Sequence, residues 1–224
     1  MSYTVNDVLE YVKEEDVKFI RLAFCDSRGA VKNLSVMPAE LERAFKNGIS
    51  FDASAIRGFE SVERSDMLLF PDPDTLTVLP WRPSHGRVVR LFCDIRYPDG
   101  RPYELDCRNV LKNAVEFAKE RGVVCNIGTE FEFYLFKSDE NGERTEPPAD
   151  EAGYMDVAPA DKGENVRREI CLTIEEMGLY PESSHHEEGP GQNEIDFKYA
   201  GALKAADHAV IFKNAAETVA YKNG

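Results

Sequence analysis

A chain of 224 residues with 42% hydrophobic side chains can bury a sizeable core, which argues against disorder as its main state. Its 41 Asp+Glu stand against 27 Lys+Arg, a formal charge of -14, so phosphate backbones and anionic membrane surfaces are repelled at long range. Nucleic-acid and membrane partners are therefore not expected. The five cysteines, Cys25, Cys93, Cys107, Cys125 and Cys171, form no C-x-x-C pair, and the N-terminal MSYTVNDVLEYVKEED has neither the basic start nor the apolar run of a signal peptide. A reducing, cytoplasmic setting is expected, and no apolar stretch reaches membrane-spanning length.

Val5, Val8, Leu9 and Val12 recur at helical spacing after Thr4, an N-cap residue type, and predict a short first helix. VKFIRLAFCD then alternates, SRG offers turn chemistry and AVKNLSVMP returns, which together predict a β-hairpin. Pro38 sits where a helix can begin, with Leu41, Ala44 and Phe45 on one face and Gly48 as its stop. From Ile49 to about Asp74 the sequence reads as one long functional loop. LTVLPW and GRVVRLFCDIR predict two more strands before the turn-rich YPDGRPYELD, where a domain joint is placed near Tyr103.

Beyond the joint, DCRNVLKNAVEFAKERG reads as a helix and VVCNIGTEFEFYLF as a β-rich run, followed by a polar loop, SDENGERTEPPAD. Val166, Ile170, Ile174 and Met177 mark a helix ended by Gly178, and Ala205, Ala209, Phe212, Ala216 and Val219 mark another. The fold class is α+β, with few strands in the second part, which reads as cut short after YKNG.

In GTEFEFYLF a period of two places Glu130, Glu132 and Tyr134 on one face and Phe131, Phe133 and Leu135 on the other. Neighbouring carboxylates repel, and the arrangement persists most easily around a cation. In SSHHEEGPGQNEIDFKY, Glu187 follows two histidines, and Glu194, Asp196 and Lys198 share a face. If these strands lie beside the first, Glu132, Glu187 and Glu194 converge with Glu130 close by. Such an oxygen-rich set suits Mg²⁺ or Mn²⁺ better than zinc. Of His185 and His186 at most one can face the site, and both read as structural or hydrogen-bonding residues. Asp52, Arg57 and Glu60 flank a glycine in FDASAIRGFESVERSD, as in a loop that approaches something closely. P-loop, dinucleotide and nucleophile-elbow motifs are absent from the sequence, and no water-activating base for a phosphoesterase is evident.

FDASAIRGF with ESVERSDMLLFPDPDT, then GTEFEFYLF, then SHHEEGPGQNEIDFKYAG, resemble in order the motifs of type I glutamine synthetase, along essentially the whole chain. The resemblance implies an N-terminal β-grasp domain over 1–103 and, over 104–224, the N-terminal part of a catalytic domain of antiparallel sheet and helices. It implies a glutamate–ammonia ligase that joins L-glutamate and ammonia with ATP through γ-glutamyl phosphate, using two Mg²⁺ or Mn²⁺ ions.

Glu132, Glu187 and Glu194 match the ligands of the metal near glutamate, with Glu132 also at the substrate, and Glu130 matches a ligand of the metal that bridges the ATP phosphates. Glu182 and Tyr199 match nucleotide-side residues, and Asp52 the aspartate that binds and deprotonates ammonium in a neighbouring subunit's site. A homo-oligomer, in the family a dodecamer of two hexameric rings, is implied. Ala53 and Ala55 stand where the family shows Gly and Ser, and Glu188 where a small or apolar residue is usual. The family's later motifs have no counterpart before Gly224, so the chain is expected to be an N-terminal half, inactive alone. Two other readings are a ligase that uses a polyamine or another amine in place of ammonia, and a non-catalytic β-grasp interaction module.

Overall fold

A computed structural model describes residues 3–82 and 85–224; Met1 and Ser2 of the expected N-terminal segment lie outside the described residues. The chain divides into two compact units, 1–125 and 126–224.

In the first unit, helix α1 (Val5–Glu14) starts on a capping box: Thr4 accepts from the Asp7 N–H while Asp7 accepts from the Thr4 N–H. Strands β1 (Val17–Cys25) and β2 (Val31–Val36) form the expected hairpin, turned by Asp26, whose Oδ1 accepts from the Arg28 and Ala30 N–H groups. Helix α2 (Leu41–Asn47) ends at Gly48, whose φ of +73° is the left-handed conformation glycine tolerates.

The loop expected from Ile49 to Asp74 is instead folded. Strand β3 (Ile49–Asp52) pairs antiparallel with β4 (Asp66–Pro71), placing Ile49, Met67 and Leu69 in the core. The segment between them is irregular, with short 3-10 turns at Ala53–Ala55 and Val62–Arg64, and another, Pro73–Thr75, follows β4. Four-residue ISFD is too short to show a period of its own; pairing with a more apolar partner makes it a strand. LTVLPW contracts to the two-residue strand β5 (Thr77–Val78).

The ten-residue strand β6 (Arg87–Arg96) is central to the sheet, whose order is β2-β1-β6-β4-β3, with β5 also paired to β6. Its pairing with β1 is parallel, Ile20 opposite Val89 and Leu22 opposite Leu91. Val8, Val12, Leu41 and Ala44 from the two helices join Ile20, Leu22, Leu69, Leu91 and Tyr103 in one core. Helix α3 (Cys107–Lys119), capped by Asp106 as expected, belongs to this unit. Its Arg108 lies 2.5 Å from Asp72 and 3.4 Å from Asp94, and Asp106 Oδ2 accepts from the Ile95 N–H at 3.1 Å. The helix after the expected joint at Tyr103 thus travels with the strands before it.

In the second unit, β7 (Asn126–Ile127), β8 (Glu130–Tyr134) and β9 (Phe136–Ser138) fill the expected β-rich run. The expected polar loop corrects to a hairpin: β10 (Arg144–Pro148) pairs with β9 across a turn in which Asp139 accepts from the Asn141 and Glu143 N–H groups. Helix α4 (Glu164–Glu176) precedes β11 (Pro181–His186) and β12 (Gln192–Phe197), and β13 (Ala200–Gly201) leads into helix α5 (Ala202–Lys222). The three-stranded antiparallel sheet β11-β12-β8 is the scaffold on which the acidic motifs sit. Ala215, not the expected Ala216, lies in the buried stripe of α5 with Ala205, Phe212 and Val219.

Leu22 is wholly buried at the centre of the first unit. Truncation by L22A is expected to cost about 3 kcal/mol in denaturant unfolding, whereas F19A, at a site 46% exposed on the same strand, is expected to cost a fraction of that.

Candidate metal centre

Strand register decides which side chains meet. Glu132 lies opposite Glu194, which lies opposite His185; Glu130 lies opposite Asp196, which is paired with Ser183. Directly opposed residues share a face of a sheet, so Glu130, Glu132, Glu194, Asp196 and His185 all project from one side. The other side carries Phe131, Phe133 and Phe197, which gather on Phe212 of α5, the Phe131 and Phe212 rings stacking at 4.5 Å. Burial of that aromatic face fixes the strands, and the acids are held together as a consequence.

Glu187 follows β11 in the turn to β12, its N–H donating to Gln192 O at 2.8 Å. His185 joins it to the sheet: Nδ1 is 3.5 Å from Glu187 Oε1 and Nε2 is 3.7 Å from Glu194 Oε2. Gln192 Nε2 donates to Glu132 Oε2 at 2.5 Å. Glu194 is nearly buried, and burial, reinforced by hydrogen bonding with Asp196 and Glu187, pushes its carboxyl up to about 7.

Asp196 Oδ2 accepts from Ser183, but its Oδ1 is buried with no hydrogen-bond partner. Ligand atoms of His185, Glu194 and Asp196 lie within 4.8 Å of one another. A crowded carboxylate set containing a proton-retaining glutamate and an orphaned oxygen fits a hard divalent cation. Asp196 and His185 are not among the converging residues that the sequence singles out. Asp196 was visible on Glu194's face by its spacing of two, and the parity of the His-His pair could not say which ring faces the acids. Tyr154 adds an edge-on ring 5.4 Å from His185, without any signal in the sequence.

His186 points the other way into a closed polar network. Its Nε2 is 2.9 Å from Asp150 Oδ1 and its Nδ1 is 2.7 Å from Glu187 O. Asp150 also accepts from the Ala152, Lys162 and Gly191 N–H groups. Burial works against a charge on His186, but the hydrogen bonds to Asp150 and Glu187 outweigh it and raise its pKa. Alongside, Arg167 pairs with Asp161 at 2.5 Å and donates to Asn193 Oδ1 at 2.6 Å. Asp150, Asp161 and His186 also lie within coordinating reach of one another, but Arg167 and the backbone amides already supply their positive partners.

Of the nucleotide-side residues, Glu182 is exposed on β11, and Tyr199, 73% exposed, lines a cavity of about 370 Å³ with Tyr180, Lys198, Lys204 and His208. Burial, with Lys204 adding to it, pushes His208 down to about 4, so it is neutral at pH 7 and the two lysines carry the cavity's positive charge.

Asp52 belongs to the first unit. It ends β3 and caps the following turn, its Oδ1 accepting from the Ser54 hydroxyl at 2.6 Å and the Ser54 N–H at 2.9 Å, which hold its pKa below the usual carboxylate range. In the loop beyond, Ser27 donates to Arg57 O at 3.2 Å and Glu60 pairs with Arg64 at 3.3 Å. Gly58 sits at φ +86°, a conformation side chains rarely adopt, and a Cβ there would push the Ser27 hydroxyl aside. At Gly58 this loop comes close to the chain's own hairpin turn.

Comparisons with known proteins agree on one family. Residues 16–98 match the glutamine synthetase β-grasp domain and residues 104–224 the glutamine synthetase catalytic domain. The chain is 50% identical over 223 residues to the glutamine synthetase of Clostridium saccharobutylicum, covering 100% of this chain and 50% of that protein. It is 48% identical over 221 residues to that of Methanosarcina mazei, covering 99% and 49% respectively. Among solved structures, an ADP complex of GmaS superposes with a TM-score of 0.86 at 30% identity, over 97% of this chain and 50% of that one. A cryo-EM structure of Plasmodium falciparum glutamine synthetase gives 0.86 at 24% identity, over 98% and 49%, and shares the fold. The chain spans about half the length of the curated relatives it matches.

The raised pKa of Glu194 has a definite sign. Between the ordinary glutamate value of about 4.3 and about 7 the folded, ion-free chain holds a proton that the unfolded chain has released, so stability falls as pH rises through that window. Unfolding titrations at pH 4, 5, 6, 7 and 8 are expected to show this decline and to lose it in E194Q; equal slopes in the two proteins would contradict the assignment.

Proposed function

The chain belongs to the glutamine synthetase family, and on that premise we propose that it builds part of the active site of an ATP-dependent glutamate–ammonia ligase acting through γ-glutamyl phosphate. Because it covers about half of its curated relatives, activity, substrates and assembly are proposed for a polypeptide that carries the family's whole catalytic domain. The observation behind this reading is the single sheet face that gathers Glu130, Glu132 and Glu194 beside Glu187.

Glu132, Glu187 and Glu194 would hold one Mg²⁺ or Mn²⁺ next to the glutamate substrate, and Glu130 would contribute to a second at the ATP phosphates. When bound, these ions supply neutralisation of the charge that moves during phosphoryl transfer. Glu132, tied to Gln192, also bounds the glutamate position. On the nucleotide side we assign Glu182 and Tyr199; the cavity beside Tyr199 combines aromatic rings for a base with Lys198 and Lys204 for anionic groups. Asp52, ionised at neutral pH and locked by Ser54, suits the capture of ammonium and assists its deprotonation before attack on the acyl phosphate.

Further parts of the proposal are a homo-oligomer in which Asp52 serves a neighbouring subunit, a division at 103/104 between β-grasp and catalytic domains, and a cytoplasmic location. No disulfide joins the five cysteines, and no helix among the described residues is long and apolar enough to cross a membrane.

In a polypeptide with the whole catalytic domain, E132A is expected to lower Mg²⁺-dependent glutamine formation at least about a hundredfold; unchanged turnover would refute the metal assignment. With ammonia, methylamine and a polyamine offered in parallel, ammonia is expected to be the preferred acceptor. A preference for a larger amine would shift the reading to the amine-ligase branch, where Ala53 and Ala55 of the Asp52 loop would be the first residues to examine.

A further inference from the structure

Glu187 is the one proposed ligand that does not stand on a strand. It lies in the turn from Glu187 to Gly191, between the end of β11 and the start of β12, where its N–H donates to Gln192 O at 2.8 Å and its Oε2 accepts from the Glu188 N–H at 3.0 Å. A further hold, on its carbonyl, lies behind the sheet. The Glu187 carbonyl can only accept, so His186 Nδ1 donates to it across 2.7 Å. The other ring nitrogen faces Asp150 Oδ1 at 2.9 Å, and this carboxylate, surrounded by the Ala152, Lys162 and Gly191 N–H groups, also accepts. His186 is wholly buried and Asp150 is 5% exposed, so neither bond competes with water.

Asp150 therefore grips both ends of the turn, one through the His186 ring and the other through the Gly191 N–H. Gly191 has no slack: at φ +68° a Cβ would sit 2.8 Å from Leu135 O and 2.9 Å from Pro148 Cβ. We propose that Asp150, acting through His186, is a positioning residue that aims Glu187 at the cation. The inference rests on the metal reading of Glu132, Glu187 and Glu194. Removing an outer partner of this kind characteristically weakens metal binding about 10- to 100-fold.

Mn²⁺ titrations followed by electron paramagnetic resonance test the inference on the 224-residue chain and its D150N, H186L, D150N/H186L and E187Q variants, each confirmed folded by circular dichroism. D150N is expected to weaken Mn²⁺ binding about tenfold and H186L at least as much. The double variant is expected to be no weaker than H186L, because both substitutions break one chain of contacts. H186N, which keeps a donor near the Nδ1 position, is expected to recover part of the loss.

If Mn²⁺ binding in the unsubstituted chain is absent or insensitive to E187Q, the metal reading itself fails. If that binding is present and D150N matches the unsubstituted chain, or the two losses add, the positioning role is overturned. Should H186L not fold, D150N with the ¹³C carbonyl shift of Glu187 decides: an unmoved shift alongside unchanged affinity rejects the proposal, and a moved shift with weakened affinity supports it.

Discussion

Like charges have to be forced together, and in this chain the force is applied from the far side of a thin sheet. Phe131, Phe133 and Phe197 collapse onto Phe212 of α5, and the strand period of two then dictates that Glu130, Glu132, Glu194 and Asp196 share the opposite surface. The aromatic side offsets the cost of the acidic side. A carboxyl raised to about 7 and a buried carboxylate oxygen with no donor are the residual signs of that cost. Filling the site with a divalent cation would remove both.

The same sheet shows how two adjacent histidines come to serve two environments. His185 stands among the acids, and His186, one step along the strand, stands in a buried network with Asp150, while Arg167, Asp161 and Asn193 form a second closed set nearby. The first set is open to cation chemistry because its members repel one another. The second is closed, because guanidinium, imidazole and backbone amides already answer each carboxylate. Charge balance, rather than the number of acidic groups, separates a site that wants an ion from one that does not.

The acidic face was legible because it depends only on alternation and on motifs that retain their spacing: Glu130, Glu132 and Glu194 could be placed before any coordinates. Which strands neighbour each other could be posed only as a condition, since register is not written in any one segment; the pairing of β12 with both β8 and β11 meets it. What stayed hidden follows a pattern. Strand β10 reads as a loop because RTEPP is polar and proline-rich, and only its pairing with β9 makes it extended. Strand β3 is four residues long and takes its identity from β4. Asp150 lies in the run PPADEAG, where nothing distinguishes a carboxylate destined for the interior from one bound for solvent; burial is a property of the whole fold. Helix α3 was correctly read as a helix, but its attachment to β6 depends on Arg108 and Lys112 meeting Asp94, 14 and 18 residues away along the chain.

The parallel ladder between β1 and β6 ties the residues around Ile20 to those around Val89. Parallel neighbours cannot be joined by a tight turn, so the first hairpin, complete at Val36, leaves one edge of β1 bare until β6 begins at Arg87, about fifty residues further on. During synthesis that edge, lined by Ile20, Leu22 and Phe24, is an open template for any extended segment nearby. Timing on the ribosome thus becomes a constraint on this sequence: Lys18 and Arg21 within β1, and the acidic helix ahead of it, place charge beside an adhesive strand for as long as its rightful partner is still being made.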